Sequence, residues 1–98
     1  MPNNYTEHHM KTILTVIGKD QTGIIAGVSQ QLYELNINIL DVSQTIMGDF
    51  FTMIMLLDLS KVDRPFDEVK QILTETGDRL KVKVNLQREE IFDAMHRL

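Results

Sequence analysis

No cysteine occurs among the 98 residues. The chain therefore has no disulfide framework, no thiolate nucleophile and no Cys-ligated zinc or iron–sulfur site. An excess of positive charge is also missing: 10 Lys and Arg stand against 14 Asp and Glu, for a net charge of −4. Phosphate backbones and anionic membranes are bound by clustered basic groups, so neither nucleic acid nor membrane is an expected partner. The longest uninterrupted apolar run is Met53–Leu57, far short of the ~20 residues that cross a bilayer. Met1–His9 is polar and lacks the apolar core of a signal peptide. A cytoplasmic protein is the expectation these absences leave.

The usual signs of catalysis are scarce too. There is no Ser/His/Asp order, no His pair at metal-binding spacing and no phosphate-cradling glycine loop. His8, His9 and His96 read more naturally as surface residues than as metal ligands. Glu89 and Glu90 are helix neighbours pointing about 100° apart, which suits a solvated face better than a carboxylate pair. No catalytic residue, no metal and no cofactor is expected.

What is present is a strong pattern. Hydrophobic residues at 43% and charged residues at 24% are ordinary globular values. Residues 1–10 read as a leader, 11–88 as one domain and 89–98 as a terminal helix. Lys11–Gly18 is apolar on both faces, as a central strand must be. A helix follows over Ile24–Leu35, with Asp20 or Thr22 as its cap and Ile25, Val28, Leu32 and Leu35 on its buried face. Ile37–Met47 alternates but slips by one at Ile39-Leu40, the mark of a bulge. Gly48-Asp49 is a two-residue hairpin signal, and Phe50–Leu59 is a second doubly apolar strand. Pro65 opens a second helix that Gly77 is expected to stop. Leu80 to Gln87 then alternates as a half-exposed strand. The order is β-α-β-β-α-β: an α+β, ferredoxin-like sandwich with an antiparallel sheet in the order 4-1-3-2 and both helices on one face. One side of the third strand then faces away from both helices, and an apolar patch of that kind usually marks an interface.

The segment that could bind something is Gly18–Gly27, with Asn36–Ile39 beyond it. A glycine-punctuated loop entering a helix presents backbone N–H groups and a positive dipole end, which suit a carboxylate. The same spacing equally describes a capped helix packed tightly on a sheet.

Gly18-Lys-Asp-Gln-Thr-Gly-Ile-Ile-Ala-Gly-Val-Ser, followed by Leu32-Tyr-Glu-Leu-Asn-Ile-Asn-Ile, resembles the opening of an ACT domain. The resemblance runs from about Lys11 to Gln87 and is nearest to short stand-alone bacterial ACT proteins and to the ACT repeats of glycine-cleavage repressors. Asp41-Val-Ser-Gln-Thr, Phe50-Phe-Thr-Met and the Ile91-Phe92-x-Ala94-Met95 tail extend it. The resemblance implies regulation rather than catalysis: a homodimer joined side by side, binding a small ligand, often an amino acid, between copies. Carried over by position, Asp20, Thr22, Gly23 and Ile24 would form the loop wall, with Asn38 and Ile39 from the opposite subunit. Two rivals remain at this level. One is a module that only assembles. The other is an acylphosphatase-like hydrolase, which would want a phosphate-binding arginine where the loop offers only Lys19.

Overall fold

The computed structural model describes residues 11–19 and 22–89. Six elements follow in chain order: β1 (Lys11–Gly18), α1 (Ile24–Glu34), β2 (Asn38–Met47), β3 (Phe50–Asp58), α2 (Phe66–Leu80) and β4 (Lys83–Arg88). The sheet order is β2-β3-β1-β4, with every neighbour antiparallel. This is the expected 4-1-3-2 arrangement read from the other edge.

Register explains why β1 and β3 carry the heaviest apolar load. Leu14 stands opposite Met55 and Leu86, and Val16 opposite Met53 and Val84. Residues opposite one another share a face, and this face is sealed by Ile24, Val28 and Leu32 of α1 with Val69 and Leu73 of α2. On the opposite face Ile17 and Ile54 remain exposed, so the uncovered apolar surface anticipated from the pattern is there. No helix among the described residues is long and apolar enough to cross a membrane. The terminal helix expected over 89–98 and the leader over 1–10 lie outside the described residues, apart from Glu89.

Both helices end in the same way. In α1, Asn36 has φ 63°, its N–H donates to the Tyr33 carbonyl at 3.0 Å, and the Ile37 N–H donates to Leu32 at 2.9 Å. In α2, Lys81 has φ 64°, its N–H donates to Asp78 at 3.2 Å, and the Val82 N–H donates to Gly77 at 2.9 Å. These paired bonds form the Schellman motif, which satisfies carbonyls that a helix end would otherwise orphan. They also correct the expectation that Gly77 stops the second helix. The helix passes through Gly77 to Leu80, and a lysine takes the left-handed position. Gly77 is small for another reason: a Cβ there would stand 2.6 Å from Val84 Cγ2 and 3.0 Å from the Val82 carbonyl oxygen. Leu80 and Lys81 consequently belong to the helix end, and the last strand begins only at Lys83.

Two smaller corrections concern α1. Its buried stripe starts at Ile24, 3% exposed, whereas Ile25 is 41% exposed. Its cap position is Gly23, in the left-handed region and with no side-chain cap bond, so Thr22 precedes the cap; Asp20 lies outside the described residues. The bulge is where the alternation slips, between Ile39 and Asp41. Gly48 and Asp49 close the β2–β3 hairpin between paired Met47 and Phe50. The positive φ falls on Gly48, the first turn residue, as in a type II′ turn.

Among the described residues one buried side-chain oxygen is unpaired. Thr12 is 1% exposed on the helix-covered face, opposite Leu57, and its Oγ1 has no hydrogen-bond partner. Burying such a hydroxyl costs about 1–3 kcal/mol, and valine has nearly the same shape without it. Thr12→Val is expected to raise stability by about 1 kcal/mol in urea denaturation; a loss of stability would mean that the hydroxyl has a partner.

Candidate functional site

The loop between β1 and α1 is built around Gly23. Its φ of 81° is strained for any residue with a Cβ, although a Cβ there would meet nothing within 4 Å. The position is open in space and demanding in conformation. The Gly23 carbonyl accepts the first helical bond, from the Gly27 N–H at 2.9 Å. The N–H groups of a first helical turn have no partner within the helix and carry its positive dipole end. In α2 that end is balanced by Asp67 and Glu68; the first turn of α1 holds no acidic residue. Ile24 is buried in the core, so it can offer only backbone to anything bound at the loop.

The loop lies beside the β2–β3 hairpin because Gly18 pairs with Phe51 and Ile46 pairs with the same Phe51 across the sheet. Between loop and hairpin is a cleft of about 290 Å³ whose lining includes Lys19, Thr22, Ile46, Gly48, Asp49 and Phe50. The Lys19 ammonium sits 6.0 Å from the centre of the Phe50 ring.

Asn38 and Ile39 are at the opposite end of β2, where Asn38 pairs with Asp58. Asn38 lines a second cleft of about 400 Å³, together with Tyr33, Asn36, Asp58 and Lys61. There Asn36 Nδ2 donates to the Lys61 carbonyl at 3.2 Å, and Asp58 Oδ1 accepts the Ser60 N–H at 2.9 Å. Within one chain, then, the candidate residues form two groups. Thr22, Gly23 and Ile24 stand together at the start of α1; Asn38 and Ile39 lie beyond its other end, with eleven helical residues, about 17 Å of axis, between the groups.

The strand joining these groups is the bare edge of the sheet. All ten residues of β2 are exposed, including Ile39, Val42 and Ile46, which share the helix-side face with buried Leu57, Met55 and Phe51. The helices cover β1 and β3 and stop short of β2. The other edge differs: β4 has six residues, and Lys83 and Arg88 at its ends, with Lys81 just before it, place charges of the kind that discourage strand pairing.

Residues 11–87 match the ACT domain family model. The chain belongs to the ACT-domain family. It is 62% identical over 89 residues to the UPF0237 protein of Listeria innocua, covering 91% of this chain and all of that one. Among solved structures it resembles an ACT domain protein from Streptococcus pneumoniae. That pair has a TM-score of 0.77 and 42% identity, over 89% of this chain and 98% of the other. A candidate glycine cleavage system transcriptional repressor shares the fold at a TM-score of 0.67 and 24% identity, over 80% of this chain and 44% of the repressor.

Lys19, Asp49 and Phe50 were not among the residues that sequence reasoning placed at the site. They come together through register: β1 and β3 pair antiparallel, which brings the end of β1 against the start of β3 and so the loop against the hairpin. Among the described residues no cluster of three or more His, Asp or Glu side chains is placed to hold a metal.

Proposed function

We propose that this ACT domain is a non-catalytic regulatory module of the cytoplasm that works as a homodimer and binds an amino acid between its copies. The observation that carries the reading is the β2 edge: ten exposed residues with backbone groups unpaired on one side among the described residues, and apolar side chains that neither α1 nor α2 covers. An edge of this kind is a template for another strand. A second copy is its natural complement, because a two-fold axis lays β2 antiparallel on itself. That pairing would bring Asn38 and Ile39 of one copy beside Ile46 and Met47 of the other, next to the loop carrying Thr22, Gly23 and Ile24. The two groups separated within a chain would then meet between chains. Helix N–H groups suit an α-carboxylate, and the Asn38 amide can donate or accept at either end of a zwitterion.

Sedimentation at micromolar concentration is expected to give twice the chain mass, and a thermal-shift screen of the amino acids to find a stabilising ligand. A ligand at 100 times its Kd stabilises by about 2.7 kcal/mol. Asn38→Ala removes one hydrogen bond of about 0.5–1.5 kcal/mol, so binding should weaken roughly 2- to 13-fold while the mass stays that of a dimer. A monomer overturns the reading. A dimer that no amino acid stabilises leaves assembly alone as the role.

A further inference from the structure

Two isoleucines on the open face of the sheet differ more than their places in it explain. Ile13 and Ile54 both point away from the helices, and each stands on a central strand between two paired neighbours. Ile13 lies between Leu56 and Gln87, and Ile54 between Thr15 and Ser43. Ile54 is 40% exposed and Ile17, on the same face, 41%; Ile13 is 9% exposed. Leu56 beside it is half-buried. Neither α1 nor α2 lies on this side of the sheet, and Ile13 is buried within a single chain. The row Gln87–Ile13–Leu56 is also where the chain leaves the sheet. Arg88, the last residue of β4, pairs with Thr12, one residue from Ile13.

We propose that this face is the docking site of the chain's own residues 90–98, which cross the strands over Ile13 and Leu56 and keep copies from stacking sheet on sheet. Two segments meet the sheet at this end, the one before Lys11 and the one after Glu89. Met1–His9 is polar and has no apolar periodicity. Ile91, Phe92, Met95 and Leu98 fall within about 120° of a helical projection, with the charged residues of the segment on the other side. A stripe of that kind has to be buried against another element, and it enters one residue from the isoleucine that is covered. Length agrees as well. A helix over 90–98 is about 14 Å long, the distance from β4 across β1 and β3 to β2 at about 4.8 Å per strand. Laid across the sheet it covers a single row. Ile54 in the next row and Ile17 in the row after it are left in solvent, as their exposure requires. Without the segment, Ile13, Leu56, Ile54 and Ile17 would form one apolar patch, a surface that draws partners. With it, the β2 edge is left as the route to a second copy.

The chain has no tryptophan, so Phe92→Trp in the full chain supplies a single fluorescent reporter. Its emission should be blue-shifted from that of the same chain unfolded in urea, shielded from iodide, and independent of protein concentration. Met95→Asp in that background lies outside the core between sheet and helices, so the fold should survive by circular dichroism. It should return the emission to the unfolded position and, by baring the face, raise the sedimenting mass. Leu56→Asp, under the segment, should also shift the emission to the red, whereas Ile17→Asp, two rows away, should leave it unchanged. A reporter as exposed in the folded chain as in urea overturns the proposal, and so does an equal response to Leu56→Asp and Ile17→Asp. A blue shift that fades on dilution overturns it too, because the segment then lies on a neighbouring copy. Exposure of the reporter by Met95→Asp with no added mass overturns the protective role and leaves the docking.

Discussion

Gly77→Ala is expected to lower the stability of the domain by about 1–2 kcal/mol, against the direction that helix propensity alone would give. Alanine in place of glycine inside a helix is worth about 1 kcal/mol. Here the new methyl would stand 2.6 Å from Val84 Cγ2, 3.1 Å from Val84 Cβ and 3.0 Å from the Val82 carbonyl oxygen. The oxygen belongs to the backbone just before β4 and the Cβ is fixed by the β4 backbone, so α2 must lift from the strand. Overpacking of this sort costs about 1–3 kcal/mol, and an immovable obstacle places it in the upper half of that range. Gly27→Ala is the matched comparison. Its Cβ would meet Leu80 Cδ1 at 2.8 Å and Cδ2 at 2.9 Å, but these are the far ends of a partly buried side chain that can turn away. The propensity gain and the packing cost should nearly cancel there. Urea midpoints of the two variants and wild type decide the matter, and in a domain of this size each 1 kcal/mol moves Tm by about 4–8 °C. Equal losses at Gly77 and Gly27 would mean that contact distance, not the rigidity of what is contacted, sets the penalty.

The contrast between these glycines also shows where sequence reasoning reached and where it stopped. Strand order was legible because Thr12–Ile17 and Phe51–Leu57 are apolar in a way that only central strands tolerate. The bulge was legible because a period of two that slips by one moves every later side chain to the other face. Gly77 was misread because the commonest local meaning of a glycine late in a helix is a left-handed cap. Its real constraint is the approach of Val84, seven residues further on and in another element. Ile24 and Ile25 posed a similar ambiguity, since either can precede Val28 on a helical face by one turn. The choice falls to the core, which takes Ile24. The candidate site divides along the same line. Thr22, Gly23 and Ile24 adjoin one another in the chain and were read together. Lys19 lines one cleft with Asp49 and Phe50 only through strand register, which single-sequence patterns do not contain. A second copy of the chain is further still from what composition can specify.

Dimerisation through β2 yields the other large effect: Val42→Lys is expected to raise the dimer dissociation constant by about two powers of ten. Val42 lies near the midpoint of β2, so when the strand pairs with itself across a two-fold axis, residue 42 lies opposite or diagonal to its own copy. Two ammonium groups then sit a few ångströms apart in a seam from which water is being excluded. Like-charge juxtaposition in an interface costs several kcal/mol, and about 3 kcal/mol corresponds to the factor stated. The separate chain should not suffer. Val42 is 42% exposed, leaving a lysine free to extend into solvent, and its opposite neighbour Met55 stays buried beneath the helices. Val42→Thr, β-branched and neutral, should keep the dimer. Asn85→Lys, in the middle of β4, places the same charge on the opposite edge and should also keep it. Sedimentation of the four proteins over a dilution series, with far-ultraviolet circular dichroism to confirm folding, separates the cases. If Asn85→Lys dissociates the dimer and Val42→Lys does not, the copies meet along β4. Asn38 and Ile39 would then lose their place beside the loop that carries Thr22, Gly23 and Ile24.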